Sequence, residues 1–448
     1  MLATLKLALK LVLIPVLYFG GGFVSLSTIF KRAQWGLLLL IVLVPQPNVW
    51  YKFHPYPMGK DFLDILFISI VLGMIFQRKG FSRTNNTTAF ILYIGFTYLS
   101  LWNSAIRFHL PVPITPDNLS FVFWKNYAQM ICFYFLVLNV VKDEKDQKLV
   151  VTLMSLVVLF IAIRCYRNFS AADVFAYDKR VGGPFEIVGL GANHLGAFMA
   201  ESAALFLGLF LFDRERRRRA LFVLTCLFSL HPLFFSYSRG AYAAAFGALA
   251  WFGLIKKRTL LLAACLILVM YQTLLPASVV DRINMTETQT GQLEGSAEHR
   301  LDLWEFAWQL FQEHPVFGIG FDGFRYSVPQ GELTDTHNLY MKALAESGVI
   351  GFIFLLVILL KAMASGWRLF RTGRTPFQQG LGFGFMGTVV ACIIANLFGD
   401  RWSYFEMHGY FWIYWGLVDR GVLNAGQPAR DTDESLKPAA SPIAPADA

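Results

Sequence analysis

The sequence predicts an all-α, polytopic membrane protein, and three observations predict it. Of the 448 residues, 56% are hydrophobic and only 15% are charged, and the mean hydropathy is +0.49. Soluble domains carry about 25% charged residues, so this composition is typical of a chain that lies mostly in lipid. Apolar runs close to the ~20 residues that cross a bilayer as a helix recur along most of the chain.

These apolar runs predict about 12 or 13 transmembrane spans. The first run is the least regular, because Pro15 and the glycines at 20–22 interrupt it, and it could instead lie at the membrane interface or re-enter the bilayer. The candidate spans cover residues 11–29, 33–49, 62–76, 88–106, 121–141, 149–166, 194–212, 220–237, 239–255, 259–276, 337–363, 380–399 and 409–423.

Basic residues predict the orientation of these spans. If the spans alternate, the clusters of Lys and Arg all fall on one side, which the positive-inside rule makes cytoplasmic. The longer and chemically mixed loops then face outward, into the periplasm if the cell is Gram-negative. The basic clusters lie at 78–83, 142–148, 214–219, 256–258 and 368–374.

The spans and loops divide the chain into five predicted regions. The last region is rich in Pro, Ala and Asp and cannot bury a core, so a disordered cytoplasmic tail is expected there. The regions are an N-terminal transmembrane part with outer loops (1–193), central transmembrane helices (194–276), one large outer loop (277–336), C-terminal transmembrane helices (337–424) and the tail (425–448).

The large outer loop is predicted to contain an amphipathic helix over 301–311. Apolar residues recur there at a spacing of three or four, which places them on one face of a helix. Pro and Gly residues between 315 and 323 then end regular helical structure. The residues of the predicted apolar face are Leu301, Trp304, Ala307 or Trp308, and Phe311.

Several kinds of site are not expected. All five cysteines lie in apolar runs without paired spacing, which predicts buried hydrophobic residues and neither disulfides nor a thiolate metal site. The sequence has no Walker loop, no HExxH and no cluster of His, Cys and carboxylates at metal spacing, so neither a cofactor nor a metal is predicted. The net charge of +9 reflects membrane orientation, and without a soluble basic face no nucleic-acid partner is expected.

Three segments on the predicted outer side each bring an arginine. Arg180 precedes Asn193 at the mouth of a span, Arg239 follows Ser238 in a tight turn between two spans, and Arg300 opens the amphipathic helix. Arg239 is costly at the membrane without a partner, whereas Arg180 could be an ordinary loop cation and Arg300 could snorkel. Together they predict a site for an anion with several oxygens, such as a diphosphate, because guanidinium groups match that geometry.

His337 is the histidine with the most unusual setting. It stands with Asn338 at the start of an apolar helix, after polar residues at 334–336 and on the same side as the arginines. A histidine there could simply cap the helix, but this setting favours a functional role. The remaining histidines on or near the outer side are expected at the surface or interface; they are His54, His109, His299, His314 and His408.

These motifs, in this order, resemble the O-antigen ligase / O-antigen polymerase superfamily of bacterial membrane glycosyltransferases. The resemblance is specific over about 180–355 and only architectural elsewhere. The matching motifs are Arg180-x-x-Gly183 with Asn193, Ser238-Arg239-Gly240, Arg300-x-x-x-Trp304, Pro315-x-x-Gly318-x-Gly320, His337-Asn338-x-Tyr340 and Glu346-x-Gly348-x-x-Gly351.

The resemblance implies the chemistry of the site. It implies a saccharide donor linked to undecaprenyl diphosphate, used at the periplasmic face of the inner membrane without metal or nucleotide. It also implies that Arg180, Arg239 and Arg300 hold the diphosphate and that His337 acts as the base. A neutral histidine suits the removal of a hydroxyl proton, because its ordinary pKa is about 6.5. The residues expected to support this site are Asn193, Ser238 and Asn338.

Ligases and polymerases share these motifs, which therefore do not choose between lipid A-core, another glycan or a protein as acceptor. The main alternative is a flippase for the same lipid-linked glycan, which would need cations along an interior path open to both sides. The unusual residues cluster on one side and no internal repeat is visible, which favours the transferase. A third possibility is a non-catalytic assembly subunit, which would require neither His337 nor Arg239.

Overall fold

The computed structural model describes residues 2–78, 80–170, 174–175, 177, 179–285, 295–328 and 335–426, and of 2–11 and 295–298 it describes the backbone alone. Throughout these ranges the regular structure is helical, without strands, which confirms the all-α prediction. Most of the predicted tail, from residue 427 onward, lies outside the described residues.

The helices follow the apolar pattern of the sequence and are numbered in chain order. They are α1 (Leu2–Phe30), α2 (Ala33–Leu43), α3 (Pro47–Trp50), α4 (Phe62–Phe76), α5 (Thr87–Arg107), α6 (Leu119–Val140), α7 (Glu144–Asn168), α8 (Ala192–Phe212), α9 (Arg216–Phe235), α10 (Arg239–Ile255), α11 (Arg258–Leu274), α12 (Ala277–Asn284), α13 (Gly295–Glu313), α14 (Phe324–Ser327), α15 (Leu339–Thr372), α16 (Pro376–Ala395) and α17 (Phe405–Gly426). Short 3-10 helices cover Tyr51–Phe53, Gly183–Val188 and Asn396–Phe398.

Each predicted span contains a helix, and the prediction of a polytopic helical membrane protein is confirmed. By length and composition, however, the described residues contain 8 helices able to cross a membrane, or up to 10 if the bent pairs α2–α3 and α11–α12 each form one span. The predicted number of about 12 or 13 is therefore too high by this measure. The difference arises because α4 and α10 have only 15 and 17 residues and because α17 carries Glu406, Asp419 and Arg420.

The most buried of these spans, α8 and α16, pack through glycines. The most apolar stretch of each is 72% buried, against 22% for α1. A Cβ atom on Gly208 would lie 2.2 Å from the Cα atom of Gly384, so the two backbones touch and leave no room for a side chain. α17 packs beside both helices. The site described below lies where α8 begins and α16 ends, so this close pair fixes its position.

α15 is broken at Gly348, and the loop at 315–320 fills the break. Gly348 has φ +61° and ψ −167°, which interrupts the helical hydrogen bonds. Unpaired backbone groups are costly in lipid, and here the loop supplies their partners. This pairing explains why the two glycine-containing motifs occur together in the sequence. The N–H to carbonyl pairs are Ile319 to Ala345, Gly320 to Glu346, Val349 to Pro315 and Ile350 to Val316.

The amphipathic helix α13 is present, but its buried face differs from the predicted one. Leu303 and Ala307 are buried in a small apolar cluster with residues of α14 and α15. Of the predicted apolar face, Ala307 is buried, whereas Leu301 and Trp308, the alternative to Ala307, are 48% and 45% exposed. The neighbouring positions along the helix are buried because α13 packs against α15.

We expect Gly348→Ala to destabilise the protein by about 2 kcal/mol or more, because a Cβ atom there would strain a positive φ. That atom would also lie 2.4 Å from the backbone of Val316. Thermal unfolding of the purified protein in detergent measures the effect. Gly95→Ala in α5 is the matched control, since a Cβ at Gly95 meets nothing within 4 Å. Equal unfolding midpoints for the two variants would contradict the importance of the break.

Candidate functional site

Positive charge gathers at the end of the bundle where α8 and α15 begin. Arg180, Arg300 and Arg401 act electrostatically on one another, and Arg282 in α12 acts on Arg180. These four residues are called the arginine cluster. Two of them, Arg180 and Arg300, are predicted site residues, whereas Arg282 and Arg401 lie outside the sequence motifs.

Two hydrogen bonds hold Arg180 in place. Its Nε donates to the carbonyl of Ser236 at 2.7 Å, and its Nη2 donates to Asn193 Oδ1 at 2.5 Å. Burial, together with the positive charge of Arg282, lowers the pKa of Arg180 to about 10. The group stays a cation at neutral pH, and a bound anion would offset the charge that burial and its neighbours disfavour.

Arg239, the third predicted arginine, lines an apolar groove. Its Nη1 donates to the carbonyl of Met285 at 3.2 Å. The preceding Ser238 accepts from the N–H of Ala241 at 3.4 Å and so caps α10. The groove has a volume of about 770 Å³ and runs between α8, α9, α10 and α11, with aliphatic and aromatic walls. A cation thus borders an apolar surface that is large enough for a lipid chain.

His337 lies just before α15 and does not cap it. Asn338 caps the helix instead, because its Oδ1 accepts from the N–H groups of Tyr340 at 2.9 Å and Met341 at 3.2 Å. The helix therefore begins two residues later than predicted, and His337 has a positive φ of 52°. The indole of Trp304 donates to the carbonyl of Thr336 at 2.9 Å. α13 thus fixes the turn that carries His337.

The surroundings of His337 keep its imidazole neutral. Burial is the largest effect and lowers its pKa. Asp335, whose Oδ2 lies 3.6 Å from Nδ1, opposes that shift, and the positive charges of Arg300 and Arg401 add to it. At neutral pH the ring can accept a proton, and it stands beside two cations of the arginine cluster.

Arg401 is the most buried member of the arginine cluster, with 4% of its surface exposed. Its Nη1 lies 3.2 Å from Nε2 of His194. Backbone carbonyls of Phe398 and Asp400 lie at 3.5 Å. Among the described residues, no carboxylate lies within 4.0 Å of the guanidinium nitrogens. Because an unpaired buried charge is costly, this arginine is suited to meet the charge of a ligand.

The carboxylate next to Arg401 is already engaged. Asp400 accepts from Lys342 Nζ at 2.9 Å and from the N–H groups of Trp402 and Ser403. Asp400 therefore forms an ion pair with Lys342 of α15 and joins the loop before α17 to the helix that follows His337. The sequence carried a signal for this loop, because Arg401 stands between two apolar runs just as Arg239 does.

His408 was predicted at the surface or interface, and that prediction is wrong. It is fully buried in α17, and its Nδ1 lies 3.9 Å from Glu201 Oε2. With Cys392 these residues form a group whose possible metal-ligand atoms lie within 4.8 Å of one another. The group sits among α8, α16 and α17, inside the bundle. It does not provide the outer-face carboxylates that a metal-dependent glycosyltransferase would need.

Part of the chain is similar to a known protein family. Residues 221–356 match the model of the O-antigen ligase family. The match confirms the resemblance to the O-antigen ligase / O-antigen polymerase superfamily, and it includes Arg239, Arg300 and His337. Arg180, which the sequence motifs also predict, and Arg401, which only the structure brings to the site, both lie outside the matched range. No curated protein matches the chain.

We expect Arg401→Gln to weaken the binding of inorganic diphosphate by about 10-fold or more, as for the loss of a hydrogen bond to a charged group. Isothermal titration calorimetry on the purified full-length protein measures this affinity. Arg325→Gln is the control, because Arg325 faces Asp322 at 3.3 Å and lies outside the arginine cluster. If both variants bind diphosphate as tightly as the wild type does, Arg401 has no role in holding the anion.

Proposed function

We propose that this membrane protein, which carries an O-antigen ligase domain over residues 221–356, is a glycosyltransferase of the O-antigen ligase or polymerase type. It transfers a saccharide from undecaprenyl diphosphate to an acceptor hydroxyl at the periplasmic face of the inner membrane. The acceptor belongs to lipid A-core, a glycan or a protein. The observation that carries the proposal is a neutral histidine, His337, on which the charges of Arg300 and the buried Arg401 act. Arg401 lacks a carboxylate partner among the described residues.

The apolar groove supports a lipid-linked donor. Its volume of about 770 Å³ and its aliphatic and aromatic walls suit a polyprenyl chain, and Arg239 borders it. The diphosphate would then lie near Arg239 and the arginine cluster, where guanidinium groups can each bind two phosphate oxygens. A lipid diphosphate requires an apolar surface for its chain next to a cationic surface for its head group, and the groove and the arginines provide these two surfaces.

In the proposed reaction the acceptor oxygen attacks C1 of the donor sugar while the bond from C1 to the diphosphate oxygen breaks. The hydroxyl proton passes to His337, and the leaving diphosphate carries the electron pair of the broken bond. Cations that are already in position stabilise that developing charge without a divalent ion. A single direct displacement inverts the configuration at C1.

The alternative, a flippase for the same lipid-linked glycan, has less support. It would need cations along a path through the bilayer. In the described part of the chain, the groove walls are apolar apart from Arg239 and the hydroxyls of Tyr242 and Tyr271. The arginine cluster and His337 instead lie together at one end of the bundle, as a transferase requires.

We expect His337→Ala to reduce transfer by about 10²–10⁴-fold, the usual effect of losing a general base, with donor affinity largely unchanged. The cations hold the diphosphate, whereas His337 contacts only the incoming hydroxyl. Turnover and donor binding are measured on the same purified variants. Asn338 already caps α15, so His337→Asn serves as a second variant with little effect on folding. An active His337→Asn enzyme would rule out a catalytic role for this residue.

The pH dependence of kcat/KM provides a separate test of His337. Its pKa is lowered in the free protein, so activity should persist below pH 6.5 and fall only when the ring becomes protonated. Asp335 raises that pKa, and Asp335→Asn should therefore move the acid limb to still lower pH. Asp302→Asn, an exposed change on α13, should leave the profile unmoved. An acid limb that does not respond to Asp335→Asn would show that another group titrates.

A further inference from the structure

A second cavity opens beside Arg180, on helices that the proposed donor groove does not use. It has a volume of about 240 Å³ and is lined by the bend between α2 and α3, the end of α7 and the segment 179–186. The groove, in contrast, runs between α8, α9, α10 and α11. The N-terminal part of the chain, which carries none of the sequence motifs, supplies much of this cavity.

The bend between α2 and α3 places side-chain amides at the cavity. The two helices meet at 99°, and the sequence Pro45-Gln46-Pro47-Asn48 explains the break, because proline cannot continue a helix there. Irregular backbone at membrane depth is tolerated where it is buried in protein or lines a polar cavity. Gln46 and Asn48 both line this one, and Asn48 Oδ1 is buried without a hydrogen-bond partner among the described residues.

The charged residues of the cavity favour an anion. Arg164, Lys179 and Arg180 line it, and among the described residues Glu186 is the one carboxylate in its lining. Glu186 Oε1 is already engaged, because it accepts from the N–H of Gly182 at 3.0 Å. Arg164 is exposed at the end of α7, with its guanidinium stacked over Phe160 at 5.7 Å. Cations and amides together suit an oxygen-rich anion whose neighbouring hydroxyl groups also need partners.

We propose that this cavity binds a phosphate or carboxylate group carried by the acceptor saccharide. The proposal rests on the proposed function and names the chemistry of its second substrate. Arg180 lines the cavity and is also a member of the arginine cluster, whose other charges act on it. An acceptor held there would lie next to the donor diphosphate without competing for the apolar groove. Anionic phospholipid headgroups share this chemistry and are the other source of such a group.

Binding of small probes tests the proposal without requiring turnover. Glucose 1-phosphate and glucuronate should bind to the full-length protein in phosphatidylcholine nanodiscs, whereas glucose should not. Arg164→Ala should weaken the binding of both anions by about 10-fold, and Asn48→Ala should weaken it less. Arg167→Ala is the matched control, because Arg167 is an exposed arginine in the last turn of α7, three residues after Arg164, and does not line the cavity. Equal affinities for the Arg164→Ala and Arg167→Ala variants would overturn the proposal.

Two further measurements distinguish an acceptor saccharide from a phospholipid headgroup as the source of the bound anion. They also distinguish a failure of this proposal from a failure of the proposed function. If Arg164→Ala reduces only the retention of phosphatidylglycerol and leaves probe binding unchanged, the site belongs to a lipid headgroup and the acceptor assignment fails. In transfer assays, Arg164→Ala should raise the KM of an acidic acceptor about 10-fold, with kcat and the donor KM unchanged; a change in the donor KM instead would overturn the assignment. A protein that binds the probes through Arg164 but transfers no glycan would refute the proposed function alone.

Discussion

The buried charge of Arg401, with no carboxylate within 4.0 Å of its guanidinium among the described residues, is the constraint on which the rest of the site depends. Removing an ion from water costs several kcal/mol even after relaxation. Among the described residues, the guanidinium of Arg401 lies within hydrogen-bond distance of backbone carbonyls and of the imidazole of His194. The nearest carboxylate, Asp400, is paired with Lys342 instead. This arrangement holds the guanidinium in place without a direct carboxylate partner among the described residues, which is what the proposed stabilisation of an anion requires before the anion arrives.

The glycine and proline motifs serve this site by satisfying the backbone. The break at Gly348 leaves helical groups without partners, and the loop at 315–320 pairs with them. Trp304 binds the turn at Thr336, and Asn338 caps the helix. α13, the loop and α15 thus form one unit that fixes the position of His337. In the proposed reaction a few arginines and one histidine carry out the chemistry, while most of the motif residues determine where those side chains lie.

Much of the fold could be predicted, because a helix that crosses a bilayer needs a long run of apolar residues, and such runs are visible in the sequence. The number of spans is harder to predict, since α4 and α10 are short and α17 carries Asp419 and Arg420, which are buried inside the bundle. Within the site, Arg180, Arg300 and His337 stand in local motifs and could be recognised. Arg401 depends on contacts with distant positions, such as His194, 207 residues away. The burial of His408 was not predicted for the same reason, because it results from contacts with residues distant in the sequence.

The same cations that would bind the diphosphate also set the basicity of His337. In the free protein, Arg300 and Arg401 add to the effect of burial and lower its pKa, so the ring stays neutral. When the proposed donor binds, its negative charge offsets those cations and favours the protonated imidazole. The pKa of His337 must therefore rise on donor binding. The histidine therefore becomes a stronger base once the donor is in place, while remaining unprotonated beforehand. One set of arginines would thus couple donor binding to activation of the acceptor, which explains why they surround the histidine.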